Sequence, residues 1–136
     1  MLADDDRRRL LEAAKLAASR AYCPYSRFRV GAAVLSGSGA VFAGCNVENA
    51  SYGLTICAER NAVFQLAASG ESPPLVRAVL IYTPTPAPTA PCGACRQVLN
   101  EFGPGCLVVS TCDGPGVIEA TLDRLLPGAF GPRDLA

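Results

Sequence analysis

The amino-acid sequence predicts an α/β fold with a mixed sheet, in which an antiparallel hairpin lies beside parallel strands. Two observations predict it. Segments with the helical spacing of apolar residues alternate along the chain with short, β-branched, apolar runs. The first two strand-like runs are separated only by residues 37–39, Gly-Ser-Gly, which is typical of a β-hairpin. The predicted order is helix, hairpin, helix, strand, helix, strand, helix.

The first half of the chain predicts two helices and the hairpin. Residues 4–21 begin with acidic residues and carry a broad apolar stripe, which indicates an amphipathic helix. Residues 28–35 alternate like a strand, and residues 41–47 resume that pattern. Residues 56–68 then have helical spacing and good helix formers, with Thr55 as the expected N-cap.

The second half predicts a βαβ crossover. Residues 76–82 form a short, β-branched run of the kind buried in a sheet. The proline-rich residues 83–91 are too short and too central for an interdomain linker, so we expect a surface loop there. The remaining predicted elements are, in chain order, helix 92–102, strand 106–111, strand 117–120 and helix 121–126.

Composition limits the function classes. A chain of 136 residues predicts a single domain, residues 1–136, that buries roughly two thirds of its unfolded surface. Its net charge of zero lacks the basic character of nucleic-acid-binding proteins, so a small molecule is the expected partner. No apolar run reaches the roughly 18 residues of a transmembrane helix, and the start lacks a secretory pattern. We therefore expect a soluble, cytoplasmic protein that does not bind membranes.

The low proportion of charged residues predicts self-association. Charged residues make up 18% of the chain, against about 25% in typical domains, while half of the residues are hydrophobic. A small monomer of this composition would expose much apolar surface, so we expect a homo-oligomer. The seven cysteines are odd in number and no export signal accompanies them, which favours reduced thiols over a disulfide scaffold.

Two short motifs carry the chemistry: residues 57–59, Cys-Ala-Glu, and residues 91–95, Pro-Cys-Gly-Ala-Cys. The Cys92-x-x-Cys95 spacing lets both sulfurs reach one metal ion from a single helical turn, and Cys57 can approach from another element. Helix N-termini stabilise thiolates at such positions. Three protein ligands leave the fourth zinc position open, as in catalytic rather than structural zinc sites.

The neighbours of these cysteines complete the predicted site. Glu59 lies two residues after Cys57, so it need not bind the metal and can instead reach a metal-activated water as a proton carrier. Three thiolates exceed the charge of a divalent cation. Arg60 and Arg96 follow the ligand-bearing stretches, and we expect at least one of them to donate hydrogen bonds to the sulfurs. Zinc deaminases use this layout, and the absence of histidine requires the version with three cysteines, including Cys92.

Four blocks of the sequence, residues 22–28, 44–50, 57–60 and 91–97, closely resemble the small, homotetrameric cytidine deaminases, and the likeness runs from about residue 22 to residue 135. The resemblance implies a three-layer α/β/α fold and one Zn²⁺ per subunit, held by Cys57, Cys92 and Cys95. It implies hydrolysis of cytidine and deoxycytidine to uridine and deoxyuridine with release of ammonia, as in pyrimidine salvage. Glu59 would be the catalytic proton shuttle.

The resemblance also implies a set of substrate-contacting residues. These are Phe28, Asn46, Glu48, Asn49, Tyr52, Ala58 and Phe130. Asn46 and Glu48 would hold the ribose 3′-hydroxyl, and Phe28 would pack against the pyrimidine. Tyr52 and Phe130 lie in segments that resemble those crossing the subunit interface of this family, which agrees with the expected homotetramer.

Other readings of the same residues remain open. The cysteines could form a structural zinc site in a non-catalytic interaction module, although the presence of Glu59 favours an enzyme. A deaminase of a cytosine-containing antibiotic shares the Cys-Ala-Glu pattern, whereas Asn46-x-Glu48-Asn49 favours a ribose-containing substrate. Deamination of RNA or DNA is disfavoured by the neutral charge. Cytidine and deoxycytidine, and a tetramer and a dimer, all remain compatible with the sequence.

Overall fold

The computed structural model describes residues 2–136. The helices and strands are α1 (Asp4–Ser19), β1 (Gly31–Ser36), β2 (Val41–Cys45), α2 (Ala58–Ala68), β3 (Val76–Thr83), α3 (Gly93–Phe102), β4 (Leu107–Cys112), β5 (Ile118–Thr121) and α4 (Leu122–Leu125). Short 3₁₀ turns occupy Tyr52–Leu54 and Pro132–Leu135. Among these residues no helix combines the length and the apolar character needed to cross a membrane.

The described strands form one mixed sheet in the order β2-β1-β3-β4-β5. The hairpin strand β1 pairs antiparallel with both β2 and β3. Strands β3 and β4 are parallel and are joined through α3, whereas β5 is antiparallel to β4. The predicted α/β fold with a mixed sheet is confirmed.

Helices cover both faces of the sheet, which confirms the three-layer α/β/α arrangement. On one face, α1 packs Leu10 and Ala14 against β1, β3 and β4. A Cβ atom on Gly31 of β1 would lie 1.8 Å from the carbonyl oxygen of Ala14, so glycine lets α1 rest directly on the strand backbone. On the other face, α2 and α3 share a second core, to which Leu66 and Leu99 contribute.

The start of α2 differs from the prediction. Thr55 is not the N-cap, because Ile56 is held in an extended conformation by reciprocal backbone hydrogen bonds with Val47, both 3.0 Å long. Cys57 is the N-cap instead, and the helix begins at Ala58. The contact with Val47 spans nine residues, so local helix signals did not reveal it.

The predicted strand 28–35 begins only at Gly31, because the side chain of Asn46 replaces a backbone partner before that point. Its Oδ1 accepts a hydrogen bond from the Val30 amide at 2.9 Å, and its Nδ2 donates to the Phe28 carbonyl at 2.8 Å. Regular strand pairing therefore ends at Gly31, although the Asn46 backbone amide still donates to the Val30 carbonyl at 3.3 Å. Phe28, Val30 and Asn46 form one side of the cavity described next.

Candidate active site

The three predicted metal ligands converge where the N-termini of α2 and α3 meet. Cys57 and Cys92 are the N-cap residues of the two helices, and Cys95 lies in the first turn of α3. The three sulfur atoms all lie within 4.8 Å of one another, and those of Cys57 and Cys92 are 3.8 Å apart. Because α3 follows β3, the cluster is at the carboxyl edge of the parallel strands, where α/β sheets bind ligands.

This cluster fits a zinc ion. Zn–S bonds of about 2.3 Å in a tetrahedral arrangement place two sulfurs about 3.8 Å apart, which is the separation of the Cys57 and Cys92 sulfurs. Thiolates are preferred zinc ligands. Three of them leave one position of a tetrahedron for water or substrate.

Interactions within and beside the sulfur cluster change the pKa values of two of its thiols and favour one thiolate. The hydrogen-bonding interaction with Cys95, together with a smaller contribution from Arg60, lowers the pKa of the Cys57 thiol to about 5. The same interaction raises the pKa of Cys95, which is also buried. Without metal, Cys57 is therefore the thiolate and Cys95 keeps its proton. Metal binding would release that proton, as is general for cysteine ligands.

The structure places Arg60, and not Arg96, against a sulfur atom. The Arg60 Nη2 group donates to the Cys57 sulfur at 3.4 Å. Arg96 instead donates from Nε to the Pro91 carbonyl and from Nη1 to the Leu125 carbonyl, each at 2.7 Å. Arg60 is thus placed to offset thiolate charge, whereas Arg96 joins the start of α3 to the end of α4.

Glu59 is buried beside the sulfur cluster. It is the second residue of α2 and is 5% exposed. Burial raises the pKa of its carboxyl group to about 7, and the negative charge of Cys57 acts in the same direction. A carboxyl group that titrates near neutral pH can both accept and donate a proton, which is what a proton shuttle requires.

A cavity of about 230 Å³ connects Glu59 and the sulfur cluster with most of the predicted substrate contacts. Its wall includes the predicted residues Phe28, Asn46, Glu48, Cys57, Ala58, Glu59 and Cys92. Six further wall residues were not predicted as site residues: Ser26, Val30, Thr55, Ile81, Thr89 and Ala90. The buried Cys95 sulfur lies against this wall through its contact with the other two cysteines.

Comparison with known proteins identifies the family. The family model described as the cytidine and deoxycytidylate deaminase zinc-binding region matches residues 4–111. The chain belongs to this family. Relatives named cytidine deaminase include that of Halalkalibacterium halodurans, 48% identical over 131 residues, and that of Sporosarcina psychrophila, 43% identical over 132 residues. The alignments cover 96% of this chain in both cases, and 98% and 96% of the two relatives.

A solved structure agrees with this membership. The crystal structure of cytidine deaminase from Burkholderia pseudomallei superposes with a TM-score of 0.85 at 51% sequence identity, covering 90% of this chain and 98% of that one. The predicted resemblance to cytidine deaminases is thereby confirmed. The likeness includes the fold as well as the sequence.

The remaining predicted substrate residues of this deaminase-family chain lie outside the cavity wall. Asn49 accepts a hydrogen bond from the Ser51 amide at 2.8 Å and so shapes a turn. The Tyr52 ring is 75% exposed and lies 6.0 Å from the Tyr25 ring in a neighbouring cavity. Phe130 is 58% exposed, and α3 contacts only its backbone carbonyl in the described hydrogen bonds.

The proline-rich loop predicted over residues 83–91 is exposed or half-buried over most of its length, as expected of a surface loop, but it begins after Thr83, the last residue of β3. It also contributes to the wall of the deaminase-family cavity. The Cys112 sulfur donates to the Pro86 carbonyl at 3.6 Å, and a Cβ atom on Gly114 would lie 2.1 Å from that same oxygen. The loop is thus held close to the turn after β4. Near the end of the loop, Thr89 and Ala90 form the cavity wall just before Cys92, a predicted zinc ligand.

Proposed function

We propose that this chain is a zinc-dependent cytidine deaminase that converts cytidine and deoxycytidine to uridine and deoxyuridine with release of ammonia. The observation that carries the proposal is the single cavity that contains Glu59, the Cys57 and Cys92 sulfurs, and the side chains of Phe28 and Glu48. Names of relatives such as the Halalkalibacterium halodurans cytidine deaminase support the same substrate. The reaction belongs to pyrimidine salvage.

The zinc ion would be held by Cys57, Cys92 and Cys95, one ion per subunit, and when bound it would activate a water molecule for attack on C4 of cytosine. Glu59 accepts the water proton, places a proton on N3 and later delivers one to the departing amine. N3 protonation makes C4 more electrophilic, so one carboxyl group serves as both base and acid. The balance is one nucleoside and one water consumed, one uridine and one ammonia formed.

The substrate would lie along the cavity from the zinc ligands to Glu48. Phe28 is 40% exposed and presents a ring for the pyrimidine. Asn46 and Glu48 bind the ribose 3′-hydroxyl. Asn46 already uses one N–H and one oxygen lone pair on the backbone of residues 28–30, which fixes its amide and leaves one N–H and one lone pair for the sugar. Ala58 packs beside the substrate, and Asn49 shapes the adjoining turn.

The surplus charge of three thiolates would be offset by Arg60, whose guanidinium already donates to the Cys57 sulfur. Arg96 acts by holding Pro91, next to the ligand Cys92. Both arginines thus support the metal site, but through different partners.

The active enzyme would be a homotetramer of one-domain subunits, each formed by residues 1–136, in the cytoplasm. Exposed aromatic side chains support self-association: Tyr52 and Phe130 are both more than half exposed in the single chain. In the tetramer these side chains complete the sites of neighbouring subunits. Isolated subunits would then bind substrate poorly.

The proposal is tested by incubating the zinc-loaded protein separately with cytidine, deoxycytidine, cytosine and CMP. Loss of cytosine absorbance is followed together with ammonia release. We expect both nucleosides to react and the free base to react poorly, because it lacks the sugar that Glu48 binds. No reaction with either nucleoside would refute the proposed function.

A further inference from the structure

The Glu48 carboxylate is fixed by hydrogen bonds from one short segment. Its Oε1 atom accepts the backbone amides of Tyr25 and Ser26, at 3.0 and 3.1 Å. Its Oε2 atom accepts the hydroxyl group of Ser26. These donors hold the carboxylate in its charged form, since the Ser26 hydroxyl, with the two amides, lowers the pKa of Glu48.

The same hydroxyl group also holds Phe28. The Ser26 oxygen accepts the Phe28 backbone amide at 3.0 Å. Between them Arg27 has a φ of +58°, in the left-handed region, which marks a tight turn of the chain. One serine therefore connects the residue proposed to bind the sugar with the residue proposed to bind the base.

The Glu48 carboxylate has one hydrogen-bond acceptor position left for a ligand. Each carboxylate oxygen accepts about two hydrogen bonds, so the two backbone amides fill Oε1. The Ser26 hydroxyl fills one position on Oε2. One position on Oε2 remains, and Glu48 lines the cavity that contains the sulfur cluster. The carboxylate is thus prepared to accept one further donor from a ligand.

We propose that Ser26 is a positioning residue that determines sugar specificity, by holding Glu48 so that it accepts one hydroxyl group, the 3′-hydroxyl of the nucleoside. This inference rests on the proposed function. Without the Ser26 hydroxyl, the two amides still hold Oε1, but Oε2 loses its donor and can turn away from the sugar. The enzyme would then lose much of its preference for a 3′-hydroxyl, while deamination of the cytosine ring of a bound nucleoside would continue.

The test compares deoxycytidine with 2′,3′-dideoxycytidine, which differ only in the 3′-hydroxyl. For Ser26→Ala we expect kcat/KM for deoxycytidine to fall about tenfold to fiftyfold, mainly through KM, as for loss of a hydrogen bond to a charged group. We expect kcat/KM for dideoxycytidine to fall by a smaller factor, because that substrate is affected only through the lost Ser26 contact with the Phe28 amide. Both substrates are measured on one zinc-loaded preparation, so partial misfolding does not alter their ratio.

Two further variants make the comparison sharper. Ser26→Thr keeps a hydroxyl group and should keep the wild-type substrate ratio. Ser19→Ala removes an exposed hydroxyl that bonds to the Leu16 carbonyl, outside both cavities, and should behave as wild type. If Ser26→Ala lowers kcat/KM equally for the two substrates, so that their ratio is unchanged, the role of Ser26 is overturned. A ratio in Ser26→Thr as low as in Ser26→Ala would also overturn it.

Failure of this inference is separable from failure of the proposed function. If the wild-type protein deaminates neither nucleoside, the proposed function is wrong and the inference falls with it. If the wild type converts deoxycytidine and dideoxycytidine with equal efficiency, the protein is still a deaminase, but the sugar specificity assigned to Glu48 and Ser26 is wrong.

Discussion

The two ends of the cavity are built in different ways. At the sulfur end, Ala58 and Cys95 are completely buried and Glu59 nearly so, because they lie in the first turns of helices packed on the sheet. Cys57 is half-buried and Cys92 is exposed, and both line the cavity. At the outer end, Tyr52 and Phe130 are 75% and 58% exposed. The sulfur end is therefore positioned by two helices packed on the core of one chain, whereas the aromatic side chains of the outer end are exposed in one chain.

This difference separates chemistry from substrate binding. Variants at the sulfur end should change turnover, proton affinity or metal affinity without altering assembly. Variants at the outer end should change KM, and their effects should depend on assembly. The following predictions test that separation, beginning with the largest expected effect.

Glu59→Gln should abolish most turnover while zinc remains bound. The amide keeps the size of the side chain but cannot transfer the proton, so kcat should fall by at least about a thousandfold. Zinc content per chain, measured by atomic absorption, should equal that of the wild type. Substantial turnover in the zinc-loaded variant would show that Glu59 is not the proton shuttle.

In the metal-free protein, Glu59→Gln should also change how the free energy of unfolding depends on pH, because the Glu59 carboxyl group is buried. The folded-state pKa is about 7, against 4.5 for an exposed glutamate, so the folded protein binds the proton more tightly than the unfolded chain. The contribution of the protonated Glu59 carboxyl group to the free energy of unfolding is fully present below about pH 4.5 and is lost as the pH rises through 7. Urea unfolding at pH 4 and 7.5 should show wild type losing about 3 kcal/mol relative to Glu59→Gln. A pH-independent difference would contradict this.

Arg60→Gln should weaken zinc binding by about tenfold to a hundredfold, because a cation beside the thiolates supports the metal ligands. Competition with a chromogenic chelator measures this affinity. Arg20→Gln is the matched control, since the hydrogen bond described for Arg20 with a cysteine uses its backbone carbonyl and not its guanidinium. Equal zinc affinity in wild type and Arg60→Gln would show that Arg60 does not support metal binding.

Phe130→Ala should have the smallest effect, a rise in KM of about tenfold with kcat little changed, as for loss of a buried aromatic contact. The side chain is exposed in the single chain, so the effect requires an assembled enzyme. Sedimentation of the same samples reports assembly. An unchanged KM in a fully assembled variant would show that Phe130 does not complete a neighbouring site.

The sequence was most informative where function depends on local spacing. Cys92 and Cys95 lie in one helical turn, and helix N-terminal signals placed Cys57 near them, so the sulfur cluster could be predicted. Contacts between distant residues were not predictable. Ser26 reaches Glu48 across 22 residues, and no periodicity reports such a pair. Gly114 and the Pro86 carbonyl approach each other across an even longer stretch of chain, so the position of the proline-rich loop against the turn after β4 was not predictable.

The Asn46 side chain has a further consequence for spectroscopy. Its oxygen accepts the Val30 amide, a backbone group that would belong to the β-ladder in a regular sheet. A ligand that bonds to the Asn46 amide changes the electron density on that oxygen, and the Val30 amide proton senses the change. The nuclear magnetic resonance signal of Val30 is therefore a native probe of sugar binding, available without a label in the cavity.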